Sequence, residues 1–143
     1  MLFKISAFNR DVAWAVGSGN PGMGGADVFG TTNGGVTWVK RTPTHLTAGH
    51  LQGVWAGDAT HVWVSGSDVG GAKAVVWRSA DGGVTWEDFS TNSAVAAGRH
   101  LIGIAGWDFD RIWAVGKDYC VVSTTNGGVS WTYSDPPAGS DAA

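Results

Sequence analysis

Three octapeptides decide the fold: TTNGGVTW at Thr31–Trp38, SADGGVTW at Ser79–Trp86 and TTNGGVSW at Thr124–Trp131. Each sets a hydroxyl residue two places before Asn or Asp, then a glycine pair, then a second hydroxyl residue and a tryptophan. Upstream of each lies another recurring block. With Leu2, Leu51 and Leu101 superposed, sixteen positions run in register without a gap. Ile5, Val54 and Ile104 coincide, then Asn9, Asp58 and Asp108, then Trp14, Trp63 and Trp113, and last Gly17, Gly66 and Gly116. The period is 49 and then 50 residues, in the range that marks stacked repeat architectures. Length varies only between the two blocks, as loops tolerate and strands do not.

Each unit carries four short strand signals. In the second unit LQGVWAGD and HVWVSGS are separated by a turn, AVVWRS leads into the octapeptide, and TWEDF leaves it. Four strands of about 4 to 7 residues make one antiparallel meander. The runs are apolar on both faces, so each small sheet needs cover on both sides. Sheets stacked around an axis supply it, which is the β-propeller solution to the edge-strand problem. The chain is therefore predicted to be all-β, with three four-stranded antiparallel blades at residues 1–49, 50–99 and 100–134 and a disordered tail, DPPAGSDAA, at 135–143. Three blades form half of a six-bladed ring. An open arc leaves two apolar blade faces in water, so the chain is predicted to close the ring as a homodimer.

The octapeptide has a local reading. The first hydroxyl and the Asn or Asp accept hydrogen bonds from backbone N–H groups of a tight turn between the third and fourth strands. The glycine pair permits positive φ at the corner. Thr31, Asn33, Gly35 and Trp38, then Ser79, Asp81, Gly83 and Trp86, then Thr124, Asn126, Gly128 and Trp131 are thus expected to be structural. These segments resemble the Asp-box, or bacterial neuraminidase repeat, S/T-x-D/N-x-G-x-T/S-W, at every defined position of all three copies. The resemblance covers about 130 of the 143 residues. In the families that carry it, among them sialidases, xyloglucanases, sortilin-type receptors and photosystem II assembly factors, the box joins the third and fourth strands of propeller blades. The spacing from the xWAVG strand to the box is most similar to blades of the assembly-factor and xyloglucanase type. The resemblance implies a fold and not an activity, because the same blade serves hydrolases, receptors and binders.

Composition agrees with this reading. The 143 residues suit one core. Glycine at 23 residues excludes a long-helix protein, and 43% hydrophobic against 15% charged residues excludes disorder. A single cysteine, Cys120, makes no intrachain disulfide and no cysteine-based zinc site; it reads as a small buried strand residue. A net charge of -3, with nine basic residues in no run, lacks the footprint of a nucleic-acid binder. No apolar run approaches the ~20 residues of a membrane helix, and the start MLFKISAFNRDVAWAVG lacks a signal-peptide pattern. A cytoplasmic location is expected.

Catalytic candidates are few. Asp81, Asn33 and Asn126 invite a general-base or calcium reading, but carboxamides are no bases and each has a turn to hold. The six repeating tryptophans read as packing between blades. Trp55, Trp77 and Trp107 do not repeat; they too are assigned to packing, with sugar stacking as the competing role. A glycosidase needs two acidic groups flanking the scissile bond. Glu87 is the only glutamate and follows a box tryptophan, while Arg10, Arg41, Arg78, Arg99 and Arg111 fall in no sialidase-like motif. No catalytic residue, metal or cofactor is expected. The favoured function is a non-catalytic propeller that binds a protein segment or a glycan, and a small oligomeric Asp-box glycoside hydrolase is the alternative.

The binding face is placed by loop length. Octapeptides and short first turns share one side of the blades. Ser18–Asp27, Ser67–Lys73, Lys117–Tyr119 and the crossovers collect on the other, where variable loops on a rigid scaffold usually bind. His50 and His100 occupy one repeat position, with Arg99 adjacent and His45 upstream of His50; two such histidines fall short of the three or four ligands of a metal site. His50, Arg99 and His100 are predicted contacts for an anionic or polar ligand, with Asn20, Asp68 and Tyr119 at the rim.

Overall fold

The structure, a computed structural model, describes residues 1–19, 25–44, 46 and 48–135. Among these residues the strands are β1 (Leu2–Ala7), β2 (Ala13–Ser18), β3 (Ala26–Thr31), β4 (Val39–Lys40), β5 (Ala48–Ala56), β6 (Val62–Asp68), β7 (Ala74–Ser79), β8 (Glu87–Asp88), β9 (Leu101–Gly106), β10 (Ile112–Gly116), β11 (Val121–Thr124) and β12 (Thr132–Ser134). They form three four-stranded antiparallel meanders, β1–β4, β5–β8 and β9–β12, each in sequence order. This is the partial propeller that the repeat predicts. Strands β1, β5 and β9 neighbour one another and form the inner edge.

Alternation along the strands gives every blade two apolar faces. Ile5, Ala15 and Phe29 lie in register across the first blade, and Trp14, Val16 and Val28 occupy its other face. That second face is buried against Val54, Val64 and Trp77 of the second blade in one continuous core. Trp63 and Val76, on the far side of the second blade, pack in turn on Ile104, Ala114 and Val122 of the third. The junctions are also stitched by hydrogen bonds. The Trp14 indole Nε1 donates to the Asp58 carbonyl at 3.2 Å, and Trp63 Nε1 donates to the Phe109 carbonyl at 3.1 Å.

The three octapeptides fold alike. The hydroxyls of Thr31, Ser79 and Thr124 accept the N–H of Gly35, Gly83 and Gly128 at 3.0, 2.8 and 2.9 Å. Oδ1 of Asn33, Asp81 and Asn126 accepts the N–H of Thr37, Thr85 and Ser130, each at 2.9 Å. All six glycines of the pairs have positive φ. The turns also bind the first turn of their own blade: Gly34, Gly82 and Gly127 donate to the carbonyls of Asp11, Thr60 and Asp110.

Three details differ from the sequence reading. TWEDF contributes only Glu87 and Asp88 to β8, because the Trp86 indole turns to the carbonyls of Arg41, in the preceding blade, and Gly83. The crossover into the third blade holds a short helix, α1 (Ser93–Ala97), with Asn92 capping Ala94 N at 3.0 Å and Val95 buried. Cys120 is buried but immediately precedes β11. Of the predicted disordered tail, residues 136–143 lie outside the described residues.

The second octapeptide alone titrates. Hydrogen bonds from the Thr85 hydroxyl and N–H, with those of Ser79 and Val84, outweigh a small burial effect and hold the Asp81 carboxyl at about 2, below its ordinary 3.8. A depressed folded-state pKa supports the fold above the unfolded value and loses that support as pH falls through the folded one. Asn33 and Asn126 build the same turn by donating Nδ2–H to Thr37 and Ser130, each at 2.8 Å. Asp81→Asn is therefore expected to keep the turn while shrinking the loss of stability between pH 3.8 and about 2. Urea melts across that window check it, and an unchanged acid limb in Asp81→Asn defeats the assignment.

Candidate functional site

The loop side gathers part of the predicted set. The crossover after α1 delivers Arg99 and His100 to the start of β9. One His100 ring nitrogen lies 3.0 Å from Gln52 Oε1 on β5, and the other lies 3.3 Å from the Gly71 carbonyl in the second turn of the middle blade. Arg99 Nε faces Asp118 Oδ2 at 3.6 Å. Lys117 N–H is shared between the carbonyls of Arg99 and His100 at 3.1 and 3.3 Å, and Arg99 N–H donates to Cys120 Sγ at 3.4 Å. Arg99, His100, Gln52, Gly71, Asp118 and Tyr119 thus form one patch, with the Tyr119 ring exposed.

Backbone strain is concentrated here. Among the described residues the non-glycine positions with positive φ are His100 (33°), Asp118 (55°) and Tyr119 (60°), all in this patch. Such conformations cost on the order of 1–3 kcal/mol each and collect at ligand-binding sites.

The remaining predicted residues are placed differently. Asp68 closes its own turn, accepting the N–H of Ala72 and Lys73 at 2.9 and 3.2 Å. The Lys73 N–H is the main influence holding its carboxyl below the usual range, against a weaker effect of burial. His50 sits on β5 two residues before Gln52, its exposed ring edge-on to Phe3 at 6.2 Å. Asn20 and His45 lie outside the described residues. Gln52 and Asp118 were not legible as site residues; both sit opposite residues that were.

The octapeptide side holds an open groove of about 500 Å³ that sequence reasoning missed. Phe8, Trp55, His61, Trp107 and Phe109 line it together with Asp58 and Asp108. Trp77 is buried in the core and Trp55 is half-buried against Gly106, but Trp107 is 80% exposed and its assignment to packing is corrected. It projects from the turn that follows β9, as Phe8 does from the turn that follows β1. The signal was its failure to repeat: Phe8 and Gly57 hold the equivalent positions.

Two carboxylates in an aromatic groove invite glycosidase chemistry, but hydrogen bonds favour the anionic form of both. Partial burial works to raise the Asp58 pKa, and hydrogen bonds from Thr60 and His61 outweigh it and set it at about 2. Burial of Asp108 is likewise outweighed, by the N–H groups of Arg111 and Asp110 and by the Arg111 guanidinium, so its pKa is lowered. A general acid needs its pKa raised toward neutrality. The groove is chemically a stacking and acceptor surface. Among the described residues no cluster of three or more His, Cys, Asp or Glu is arranged to hold a metal ion, and no helix is long and apolar enough to cross a membrane.

No protein-family model matches the chain, and no curated protein matches it. Solved structures do. YCF48 bound to D1 peptide superposes with a TM-score of 0.71 at 19% identity, over 92% of this chain and 38% of that one. YCF48 from Cyanidioschyzon merolae gives 0.63 at 24% identity, over 92% and 36%. The chain spans little more than a third of either protein. At these identities the likeness concerns the fold: the three sheets are β-propeller blades of the kind YCF48 carries.

Proposed function

We propose that this chain is a non-catalytic binding propeller that holds an extended protein segment on its loop face, with Arg99 and His100 as the principal contacts. The coincidence of the three strained non-glycine residues found among the described residues with the patch around Arg99 carries this reading. The peptide complex of YCF48 supports the class of ligand. Arg99 and Asp118 are both exposed and 3.6 Å apart, and such a pair contributes little. An acidic or carboxamide side chain of the ligand can therefore replace Asp118 on the guanidinium fork. His50 and Tyr119 extend the contact, Asp68 borders it, and the Asp-boxes serve the scaffold. A second copy of the chain completes the ring around the channel.

The test starts from linear peptides enriched from a displayed random library on the wild-type protein. An Arg99→Ala, His100→Ala double variant with an unchanged melting temperature is expected to bind them at least tenfold more weakly, about 1.4 kcal/mol. Trp107→Ala, on the opposite side, should bind as wild type. Undiminished binding by the folded double variant removes the site, and loss of binding in Trp107→Ala alone transfers it to the aromatic groove.

A further inference from the structure

The two ends of the blade array repeat, on exposed surfaces, the faces that are buried inside it. At the first junction Trp14, Val16 and Val28 meet Val54, Val64 and Trp77, with Trp14 only 3% exposed. The equivalent outgoing residues of the third blade are Trp113, Val115 and Val121, and here Trp113 is 43% exposed with no partner for its indole N–H among the described residues. The equivalent incoming face of the first blade is Ile5, Ala15 and Phe29, with Ile5 59% exposed and Trp38 41% exposed at its outer end. An open apolar groove lies along this face. One chain thus carries both halves of a junction that it makes twice internally.

We propose that the third blade of one copy packs on the first blade of a second copy, head to tail, by repeating the internal junction. This rests on the homodimer reading above and gives it residues. Trp14 and Trp63 donate to carbonyls in the first turn of the following blade, those of Asp58 and Phe109. In the same way Trp113 donates to the turn at Asn9 and Arg10 of the partner subunit. Phe109 stands 5.7 Å from the Trp63 ring. Arg10 occupies the same repeat position as Phe109, so Arg10 of the partner subunit reaches the Trp113 ring as a cation–π contact. At the outer edge Trp86 donates to the Arg41 carbonyl of the preceding blade at 2.9 Å; Trp38 of the partner subunit takes that part against Ser134.

Charge favours the same pairing. Residues 1–49 hold Lys4, Arg10, Lys40 and Arg41 against Asp11 and Asp27, whereas residues 100–135 hold Asp108, Asp110, Asp118 and Asp135 against Arg111 and Lys117. Because the joined faces differ, the contact is heterologous, and it closes only if the rotation returns to the start. In a ring of six blades two copies of three supply the whole circle, and there the second junction forms with the first.

Light scattering on wild type, Ile5→Glu and Trp113→Arg tests the pairing. Both substituted positions are exposed on one chain, so circular dichroism should show both variants folded. Wild type is expected at twice 14.8 kDa, and each variant alone at 14.8 kDa. A mixture of the variants should recover the doubled mass, because Ile5→Glu keeps an intact third-blade face and Trp113→Arg keeps an intact first-blade face. Wild type at 14.8 kDa overturns both the pairing and the homodimer. A doubled mass that survives in each variant alone, or variants that fail to associate on mixing, overturns the pairing while leaving the homodimer. Peptide binding is read separately and does not enter these outcomes.

Discussion

Replacing Trp63 with alanine is expected to cost about 3–5 kcal/mol, the range for truncating a large aromatic residue inside a packed core. Trp63 is fully buried at the junction of the second and third blades. Its ring packs 5.4 Å from Phe89, 5.7 Å from Phe109 and 5.8 Å from Trp131, with the Arg78 guanidinium 5.5 Å away over its face. Truncation removes this packing and leaves the Phe109 carbonyl without the indole donor. The guanidinium remains tied to Glu87 and to the Gly127 carbonyl, so the surroundings cannot collapse freely into the space. Loss of contact across one junction uncouples the third blade, so thermal and urea melts should shift together, by on the order of 10 °C in the first. A melting temperature within a degree or two of wild type contradicts the junction as the main source of stability.

The features legible in the sequence are those fixed by short-range chemistry. The octapeptide closes on itself through groups four residues apart, so its spacing carries its structure. The repeating tryptophans at 14, 63 and 113 mark one face of every blade, and the fold turns them into inter-blade donors wherever a next blade exists. Features that break the repeat were harder to read. Helix α1 occupies a crossover whose counterpart in the first unit holds no helix among its described residues, although Asn92 and Gly98 bracket it as cap residues. His50 and His100 share a repeat position, but His50 lies within β5 while His100 is forced to positive φ between the helix and β9. Their different neighbours, Phe3 for one and Gln52 with Gly71 for the other, arise from that backbone difference. Local rules fail most at the patch proposed to bind, as expected where strain serves a function.

Gly66→Ala is expected to be nearly as damaging as loss of Trp63, for a reason the isolated strand does not reveal. In each unit the glycine of the xWAVG block lies beneath a carbonyl at the entrance of the inner strand. A Cβ at Gly17, Gly66 or Gly116 would stand 2.0, 1.9 or 2.3 Å from the backbone oxygen of Met1, His50 or Arg99. The pairing of β5 with β6 shifts register between Ala48 and His50 and again between Leu51 and Gly53; this irregularity presses the His50 carbonyl onto Gly66. Backbone atoms yield less readily than side-chain tips, so the cost sits at the upper end for overpacking, about 3 kcal/mol. The displaced segment carries His50 and Gln52, and Gln52 steadies His100 at 3.0 Å. Peptide affinity at the loop face should therefore fall in the molecules that remain folded. Gly70→Ala provides the control, since a Cβ there meets nothing nearer than 3.7 Å and should change stability by no more than about 0.5 kcal/mol. Urea denaturation of both variants decides the matter: equal midpoints would mean that the inner strand shifts freely over β6, and the glycine would then have no steric reason to recur.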